Sequence, residues 1–442
     1  MRVAELHGKR VAIWGFGREG KAALRLLRAR DPAIALTVLD DAVEGSADSD
    51  VPMIRGRAAI ATSIADFAVV VKSPGISLYD PLVTQAQSNG VRFTSLLNLW
   101  FADHPGARTI CVTGTKGKST TAALIAHILR GVGKNVALAG NIGVPVTDIP
   151  REGLDFAVIE VSSYQAADFD GSCDVAVLTL LAQEHLDWHG SVAAYQRDKL
   201  NLLRHARHAI VNADARAAVT DLHNVTLFDP RADLRIANQY LARPHNLSNL
   251  SAALAVAQHA GVGRAEALRA AEDFRPLPHR QQEIGEVDGV LYVDDSISTT
   301  PESAVAALDV YRDRDVTIIV GGQDRGIDYG VLIDRLRAAP PCAVILLDAS
   351  GRRIHDLLAS SDRVHVAPSM RDAVALARAL TPRGGVVLLS PAAPSYGVYR
   401  NFIERGEDFA RCAGVLGCRV AGEPEAAPPL GTRSPHSRGQ RK

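Results

Sequence analysis

The turn Gly114–Ser119, which reads GTKGKS, constrains the fold of this chain more than any other feature of its sequence. It follows the β-branched run TICV and precedes a segment whose apolar residues recur at helical spacing. A glycine-rich turn between a strand and a helix directs backbone amides at phosphate oxygens. The common cradle reads G-x-x-x-x-G-K-S/T, whereas Thr115 and Lys116 alone separate the glycines of this loop. We therefore expect an α/β domain that holds a nucleotide phosphate in a shorter loop.

Composition narrows the class of protein. Lysine plus arginine and aspartate plus glutamate both total 49, so no global field favours nucleic acid or an anionic membrane. The five cysteines include no C-x-x-C pair, which favours reduced thiols over a zinc cluster. No stretch approaches the roughly 18 uncharged apolar residues that a membrane helix needs. We expect a cytoplasmic monomer that handles small molecules, with no nucleic-acid partner and no membrane insertion.

Short β-branched runs alternate with amphipathic segments along the chain, which is the pattern of mostly parallel sheets wrapped by helices. The pattern separates into three blocks, with a linker predicted at Phe101–Arg108 because its Pro-Gly interrupts both helix and strand. The sequence thus predicts an α/β fold of three domains. A Rossmann-like domain covers residues 1–104, a P-loop ATPase domain residues 105–280, and a second Rossmann-like domain residues 281–420. Residues 421–442 lack apolar side chains to fold around, and a disordered tail is predicted.

The first block carries its own glycine-rich turn. Gly15, Gly17 and Gly20 spell G-x-G-x-x-G directly after the run RVAIW, and Asp40 closes the next predicted strand. This arrangement directs helix N-terminal amides at a pyrophosphate and offers a carboxylate to a sugar or base. Taken alone, the pattern leaves a nicotinamide dinucleotide open as the ligand. Because Lys72–Ile76 supplies a further turn after the third strand, this block is predicted to hold a diphosphate-bearing molecule.

The second block adds charged side chains at the ends of predicted strands. Lys118 would neutralise β- and γ-phosphate oxygens, and Ser119 could bind magnesium. Glu160 ends the run FAVIE, and His185 lies in EHLDWHG after the run VAVLTLL. Carboxyl ends of parallel strands meet at one edge of a sheet, so Glu160 and His185 are expected to face the same crevice as the phosphates. Residue chemistry alone predicts that Lys199 is an exposed helix lysine.

Seven short motifs follow one another in the order seen in the Mur ligases, and the sequence resembles that family over nearly its whole length. They are GTKGKST (Gly114–Thr120), GNIG (Gly140–Gly143), EVSSYQ (Glu160–Gln165), EHLD (Glu184–Asp187), HNLSN (His245–Asn249), LPHR (Leu277–Arg280) and LSPA (Leu389–Ala392). The stretch SYGVYRNFIERG, Ser395–Gly406, resembles the glutamate-pocket motif of the MurD type, which adds glutamate to UDP-N-acetylmuramoyl-L-alanine. The resemblance implies an ATP-dependent amide ligase of peptidoglycan precursor synthesis.

The resemblance also implies a mechanism and the residues that carry it. ATP would phosphorylate the alanine carboxylate of the UDP substrate, and the amine of glutamate would attack the acyl phosphate. The implied catalytic residues are Lys118, His185, Lys199 and Arg280. Two Mg²⁺ sites would use Ser119, Glu160, His185 and Lys199, the last as a carbamate formed with carbon dioxide. ATP would be bound by Gly114, Thr115, Lys116, Gly117, Lys118, Ser119, Thr120, Asn249, Arg280 and Asp295.

Two further sites follow from the same resemblance. The UDP substrate, rather than a nicotinamide dinucleotide, would be bound by Gly15, Phe16, Gly17, Asp40, Ser73, Pro74, Gly75 and Asn141. The incoming glutamate would be bound by Thr299, Arg325, Ser395 and Phe402. Closure of the third domain would protect the acyl phosphate from water.

The chain departs from the MurD pattern at three positions. Ile297 stands where typical members have the lysine of N-D-S-K-A-T-N, and Arg325 replaces the lysine of G-G-x-x-K-G. Leu180 stands where asparagine is usual. Both cation changes fall in segments that face the incoming amino acid, which favours a branch that adds L-glutamate and is paired with a separate epimerase. Addition of D-glutamate stays the alternative, and a folylpolyglutamate-type ligase or a non-enzymatic nucleotide-binding module is less favoured.

Overall fold

The computed structural model describes residues 1–42, 50–150, 152–182, 186–324, 326–358 and 362–415. His185, Arg325 and the tail at residues 421–442 lie outside these ranges, as do the side chains of residues 186, 187 and 245. Contacts divide the chain into two compact units, Met1–Arg275 and a second that begins at Pro276. Within the described ranges, no helix is long and apolar enough to cross a lipid bilayer.

The first sheet is parallel, with the strand order β3-β2-β1-β4-β5. Its strands are β1 (Arg10–Trp14), β2 (Ala35–Asp40), β3 (Met53–Arg55), β4 (Val69–Lys72) and β5 (Arg92–Thr94). Its helices are α1 (Arg18–Arg30), α2 (Arg57–Ser63), α3 (Pro81–Ser88) and α4 (Leu96–Asp103), with 3-10 turns at Val3–Leu6 and Ile64–Asp66. The direction of strand addition reverses between β1 and β4, and ligands of such sheets bind at that switch point.

The second sheet is also parallel, with the order β11-β10-β9-β6-β8-β7. Its strands are β6 (Thr109–Thr113), β7 (Val136–Gly140), β8 (Phe156–Glu160), β9 (Cys173–Leu178), β10 (Ala206–Asn212) and β11 (Val225–Phe228). Its helices are α5 (Lys118–Gly131), α6 (Ser163–Ala167), α7 (Leu186–His189), α8 (Val192–Arg204), α9 (Pro244–His259) and α10 (Arg264–Ala271), with 3-10 turns at Val146–Asp148 and Ala213–Val219. Strand β6 lies between β8 and β9, so the phosphate loop after β6 occupies the centre of the carboxyl edge.

The third sheet forms the second unit, with the order β12-β13-β17-β14-β15-β16. Its strands are β12 (Gln282–Val287), β13 (Val290–Asp294), β14 (Val316–Gly321), β15 (Ala343–Leu347), β16 (Val364–Val366) and β17 (Val386–Leu389). Its helices are α11 (Pro301–Val310), α12 (Gly330–Ala338), α13 (Asp348–Leu358), α14 (Met370–Leu380) and α15 (Phe402–Ala413). Only the β12–β13 pair is antiparallel within the described sheet. Apolar side chains cover both of its faces, with α11, α12 and α13 on one side and α14 and α15 on the other.

One hydrophobic core is shared by the first and second sheets. Leu97 and Phe101 of α4 belong to the same cluster of buried side chains as Phe169, which lies just after α6. The rings of Phe101 and Phe169 meet edge to face, with centroids 4.9 Å apart. The linker predicted at Phe101–Arg108 therefore starts too early, because α4 continues to Asp103 and its aromatic side chains are needed in this core.

Candidate active site

Both glycines of the phosphate loop have left-handed backbone conformations, with φ of 150° at Gly114 and 84° at Gly117. A Cβ at Gly114 would lie 2.0 Å from Oγ1 of Thr179, and a Cβ at Gly117 would lie 2.3 Å from Oδ1 of Asn249. Neither position has space for a side chain. The short loop is therefore closely packed against neighbouring side chains at both glycines.

Thr115 anchors the loop to the protein interior. Its amide donates to the carbonyl of Leu180 at 2.6 Å, and its hydroxyl contacts Ala182 O at 3.0 Å and Tyr195 Oη at 2.7 Å. Both the amide and the hydroxyl of Thr115 are therefore engaged by protein groups, and its predicted contact with ATP stays a prediction. Leu180 supports the loop through its backbone carbonyl, which a residue of any type supplies.

Lys118, Ser119 and Thr120 form the first turn of α5, where the helix dipole favours phosphate. The Lys118 ammonium donates to the carbonyl of Thr115 at 3.0 Å and so folds back over the loop. The carbonyl of Lys116 accepts a hydrogen bond of 2.6 Å from Thr179. Lys118 and Ser119 are half-buried, whereas Thr120 is buried in the helix.

Glu160 is a buried carboxylate with one unsatisfied oxygen. Its side chain is 1% exposed, and Oε1 accepts a hydrogen bond of 2.8 Å from the amide of Asn141. Oε2 is buried with no hydrogen-bond donor among the residues described. A buried anionic oxygen without a donor is unfavourable, and a cation beside it removes that cost. The donor set fits Mg²⁺, although the described residues hold no cluster of three or more His, Cys, Asp or Glu side chains. Asn141, predicted to contact the UDP substrate, is placed to orient Glu160.

Lys199 lies in α8 and is 1% exposed, so the expectation of an exposed helix lysine is wrong. Its ammonium donates to the carbonyl of Gly114 at 2.9 Å and lies 4.9 Å from the ring centroid of Tyr195. Helical periodicity could not reveal this burial, since α8 is covered on that side by the phosphate loop, which is distant in sequence.

Asn249 lies in α9 and is 7% exposed. Its Oδ1 accepts a hydrogen bond of 3.2 Å from Thr121 of α5, and its amide donates to Asn246 at 3.1 Å. These contacts place Asn249 behind the phosphate loop. Its predicted contact with adenine stays a prediction.

The turns after β1 and β4 meet at the switch point of the first sheet. The Ser73 hydroxyl donates to the carbonyl of Gly15 at 2.7 Å, and Gly15 has a left-handed φ of 89°. A Cβ at Gly20 would lie 2.0 Å from the same carbonyl, so this glycine permits close packing of α1. Asp40 ends β2 and caps the following turn by accepting from the amide of Ala42 at 3.2 Å.

The remaining predicted contacts of the UDP substrate surround that junction. Phe16 is half-buried and lies under the ammonium of Lys21, 5.6 Å from its ring centroid, and Gly17 is exposed. The carbonyl of Pro74 accepts from Trp188 Nε1 at 3.2 Å, while Gly75 has open space beside its Cα. The turn after β4 thus touches the segment that follows EHLD.

In the second unit, Asp295 connects the carboxyl ends of two adjacent strands, β13 and β17. It follows β13, is 2% exposed, and accepts from the hydroxyls of Ser298 at 2.6 Å and Ser390 at 2.7 Å. Burial raises the pKa of the Asp295 carboxyl to about 6. Arg280 lies between two residues with left-handed φ, His279 at 60° and Gln281 at 45°. The Gln281 amide donates to Asp295 at 3.1 Å, so this turn is tied to the same carboxylate.

Of the predicted glutamate contacts, Phe402 lies beside the turn that contains Arg280. The ring of Phe402 lies edge to face with His279, with centroids 5.9 Å apart, and its carbonyl accepts from Ser296 at 2.8 Å. Ser395 is 5% exposed, whereas Thr299 is exposed. The structure therefore brings the motifs LPHR, DDSIS and NFIERG together, while Arg325 lies outside the described residues.

Arg405 was missed by the sequence analysis. It is 1% exposed in α15 and donates to Ser296 O at 2.8 Å, Ala393 O at 3.0 Å and Gly321 O at 3.3 Å. Burial lowers the pKa of this guanidinium to about 10. One side chain thus joins the loops after β13, β14 and β17. The available signal was an arginine inside the Ser395–Gly406 motif, which sequence alone does not distinguish from a ligand-binding arginine.

Known proteins resemble this chain over most of its length. The Mur ligase middle domain matches residues 112–226, and the Mur ligase glutamate ligase domain matches residues 279–393. A UDP-N-acetylmuramoyl-L-alanine–L-glutamate ligase of Xanthomonas euvesicatoria pv. vesicatoria is 42% identical over 453 residues, which cover 94% of this chain and 97% of that protein. A protein of the same name from Micromonospora sp. is 42% identical, covering 93% of this chain and 97% of its own length.

Solved structures show the same fold. The UDP-N-acetylmuramate–alanine ligase of Thermotoga maritima matches with a TM-score of 0.59 and 18% identity, covering 91% of this chain and 98% of that one. The MurF ligase of the same organism, in complex with ADP, matches with a TM-score of 0.57 and 16% identity, covering 93% and 96%.

The fold and the phosphate site define an ATP-dependent, ADP-forming amide ligase, and the chain belongs to the Mur ligase family. The predicted fold class, family and ligase chemistry are confirmed, and the folylpolyglutamate-type and non-enzymatic alternatives are not favoured.

Proposed function

We propose that this ligase joins L-glutamate to UDP-N-acetylmuramoyl-L-alanine in peptidoglycan precursor synthesis. The observation that carries the proposal is 42% identity, over 94% of the chain, to proteins named for that reaction. The same relatives bear on handedness, because they are named for the addition of L-glutamate. The loss of a lysine ammonium at Ile297 is consistent with it, since an α-carboxylate that points elsewhere needs a different anchor.

The ATP phosphates would lie at the N-terminus of α5, against amides of the Gly114–Lys118 loop other than that of Thr115. Lys118 would neutralise β- and γ-oxygens, and Asp295 and Arg280 are further proposed contacts of ATP. Ser119 and Glu160 would hold one Mg²⁺, because Glu160 Oε2 is a buried oxygen that needs a cation. Magnesium bound there would stabilise negative charge on the transferred phosphoryl group. His185 would hold the second ion with Lys199.

We infer that Lys199 acts as a carbamate. Loss of one proton from the ammonium gives the neutral amine, which adds carbon dioxide to form an N–C bond and releases a second proton, so that a cation becomes an anion able to support a metal. A carbamate keeps one N–H, so the hydrogen bond to the Gly114 carbonyl is compatible with the modification.

The turns at Gly15 and Ser73 would bind the diphosphate, and Asp40 the uracil. Thr299, Arg325, Ser395 and Phe402 would bind glutamate. An L-glutamyl product has the opposite handedness to the ordinary D-glutamyl one, so a separate epimerase is expected to invert it. A monomer in the cytoplasm is the expected state of the enzyme.

The test is amide formation with each glutamate enantiomer. Purified enzyme, ATP, Mg²⁺ and UDP-N-acetylmuramoyl-L-alanine are incubated with L- or D-glutamate, and the UDP-linked product is quantified by mass-resolved chromatography. We expect a preference for L-glutamate of about a hundredfold or more in kcat/KM, because a misplaced buried carboxylate loses its partners. A preference for D-glutamate would refute the assigned handedness, and absence of product with both would refute the proposed reaction.

A further inference from the structure

A chain of polar side chains connects three segments of the first unit. The Tyr79 hydroxyl donates to Asp198, at 2.7 Å from Oδ1 and 2.9 Å from Oδ2. Nδ1 of His189 lies 2.7 Å from Asp198 Oδ2, and Nε2 of the same ring lies 3.0 Å from Ser163 Oγ. Asp198, His189 and Ser163 are 5%, 2% and 3% exposed. None of the three is a candidate site residue by sequence motif, and His189 is the second histidine of EHLDWHG.

The members of this chain adjoin the residues of the proposed site. Asp198 directly precedes Lys199 in α8, and Ser163 follows Glu160 by three residues. Tyr79 continues the turn that begins at Ser73, and the same turn is held again by the Ser77 hydroxyl, which donates to Trp188 O at 2.8 Å. The chain of hydrogen bonds therefore links the turn proposed for the UDP substrate to the helix that carries the metal-site lysine.

A hydrolytic role does not fit this arrangement. Ser163, His189 and Asp198 have the connectivity of a serine–histidine–aspartate triad. However, Ser163 starts helix α6 and is 3% exposed, so its hydroxyl cannot reach a substrate carbonyl. The chain of contacts holds protein segments together.

We propose that Asp198 is a positioning residue, which fixes α8 and therefore Lys199 against the phosphate loop by binding Tyr79 and His189 at once. The inference rests on the proposed function of Lys199 but adds a residue to it. A carboxylate suits this role because both of its oxygens accept hydrogen bonds. An asparagine has only one such oxygen, and its NH2 group would face the donor of either Tyr79 or His189. The hydrogen bonds of Asp198 should therefore be weakened by Asp198→Asn, although this substitution alters neither the size nor the shape of the side chain.

The test compares Asp198→Asn and Tyr79→Phe with matched controls. His7 and Asp31 make the same Nδ1–Oδ2 contact at 2.7 Å on the surface, and Tyr311 donates to Glu283 in the second unit. Asp31→Asn and Tyr311→Phe therefore remove equivalent hydrogen bonds elsewhere. We expect kcat to fall about 10- to 100-fold in Asp198→Asn and less in Tyr79→Phe, because small displacements of catalytic groups are costly. The dissociation constant for ADP should stay within about twofold, since the phosphate loop is intact.

A double variant and a labelling measurement complete the test. If Tyr79 acts through Asp198, the double variant loses no more kcat than Asp198→Asn alone. Acetylation of Lys199, quantified by peptide mass spectrometry in the absence of substrates, should rise several-fold in Asp198→Asn over Asp31→Asn. The labelling does not depend on the proposed reaction, so it decides the positioning role even if no amide product forms. Unchanged kcat and labelling, or losses in kcat and ADP affinity of equal size, would overturn the inference.

Discussion

At the scale of single residues, Glu160 shows how function can oppose stability. Its carboxylate is buried with one oxygen unsatisfied among the described groups. Glu160→Gln keeps an oxygen for the Asn141 amide and removes the charge. We expect turnover to fall about a hundredfold or more and the unfolding temperature to stay equal or rise, because the unpaired anion is gone. Steady-state kinetics and thermal unfolding without ligands measure both.

The exposed Glu152 provides the control, since Glu152→Gln changes the same net charge at the surface. A Glu160→Gln enzyme that keeps more than half of its activity would contradict the assigned metal role.

Asp295 gives a pH dependence with a defined sign. Its folded pKa is about 6, against 3.8 for an ordinary aspartate. Between about pH 4 and 6 the folded protein keeps a proton that the unfolded chain releases, so this group makes stability fall as pH rises through that window. Above pH 6 the buried charge of Asp295 destabilises the folded protein by about 3 kcal/mol, and this destabilisation no longer changes with pH. Asp295→Asn removes this destabilisation.

The measurement is the unfolding free energy of both proteins in urea at pH 4, 5, 6 and 7. All three tryptophans, Trp14, Trp100 and Trp188, lie in the first unit, so tryptophan fluorescence follows that unit alone and circular dichroism, which reports both units, is needed to include unfolding of the second. The variant should gain stability relative to the parent as pH rises from 4 to 6. A difference that does not vary with pH would show that Asp295 titrates normally.

At the scale of elements, the phosphate loop depends on glycine for two separable reasons. Gly117 has a φ of 84° and lacks space for a Cβ, whereas Gly133 has a φ of 81° and no atom within 4 Å of that position. Gly133→Ala should cost about 1 kcal/mol from backbone strain alone. Gly117→Ala should cost more and should also weaken ADP binding, because Asn249 must move. Urea unfolding and ADP titration of both variants test this, and equal effects would show that crowding is unimportant.

Periodicity predicted the central strands of every sheet and the helices that follow the glycine-rich turns, since their apolar runs are long. It missed β12, whose polar residues alternate at an antiparallel edge, and it missed the burial of Lys199. The Tyr79–Asp198–His189 contacts join segments that are distant in sequence, so no local pattern encodes them. Motif resemblance predicted the candidate site residues, but only the coordinates show the contacts that hold them in position.

At the scale of the whole molecule, the first two sheets form one compact unit although the sequence reads as separate domains. Besides the shared core, Lys72 pairs with Asp168 at 2.9 Å, and Gln165 donates to Glu19 at 2.7 Å. Both contacts join the first sheet to the second. The boundary predicted after residue 104 therefore falls within a continuously packed body.

That shared core limits how the chain can be divided or recombined. A fragment that starts at residue 105 would expose the apolar side chains that α4 now covers, Phe169 among them, to water. Such a fragment should aggregate rather than fold into an isolated nucleotide-binding domain. For the same reason, a chimera that exchanges the nucleotide-sugar specificity of two relatives must transplant residues 1–275 as a block. The first two sheets of this enzyme therefore form a single structural module.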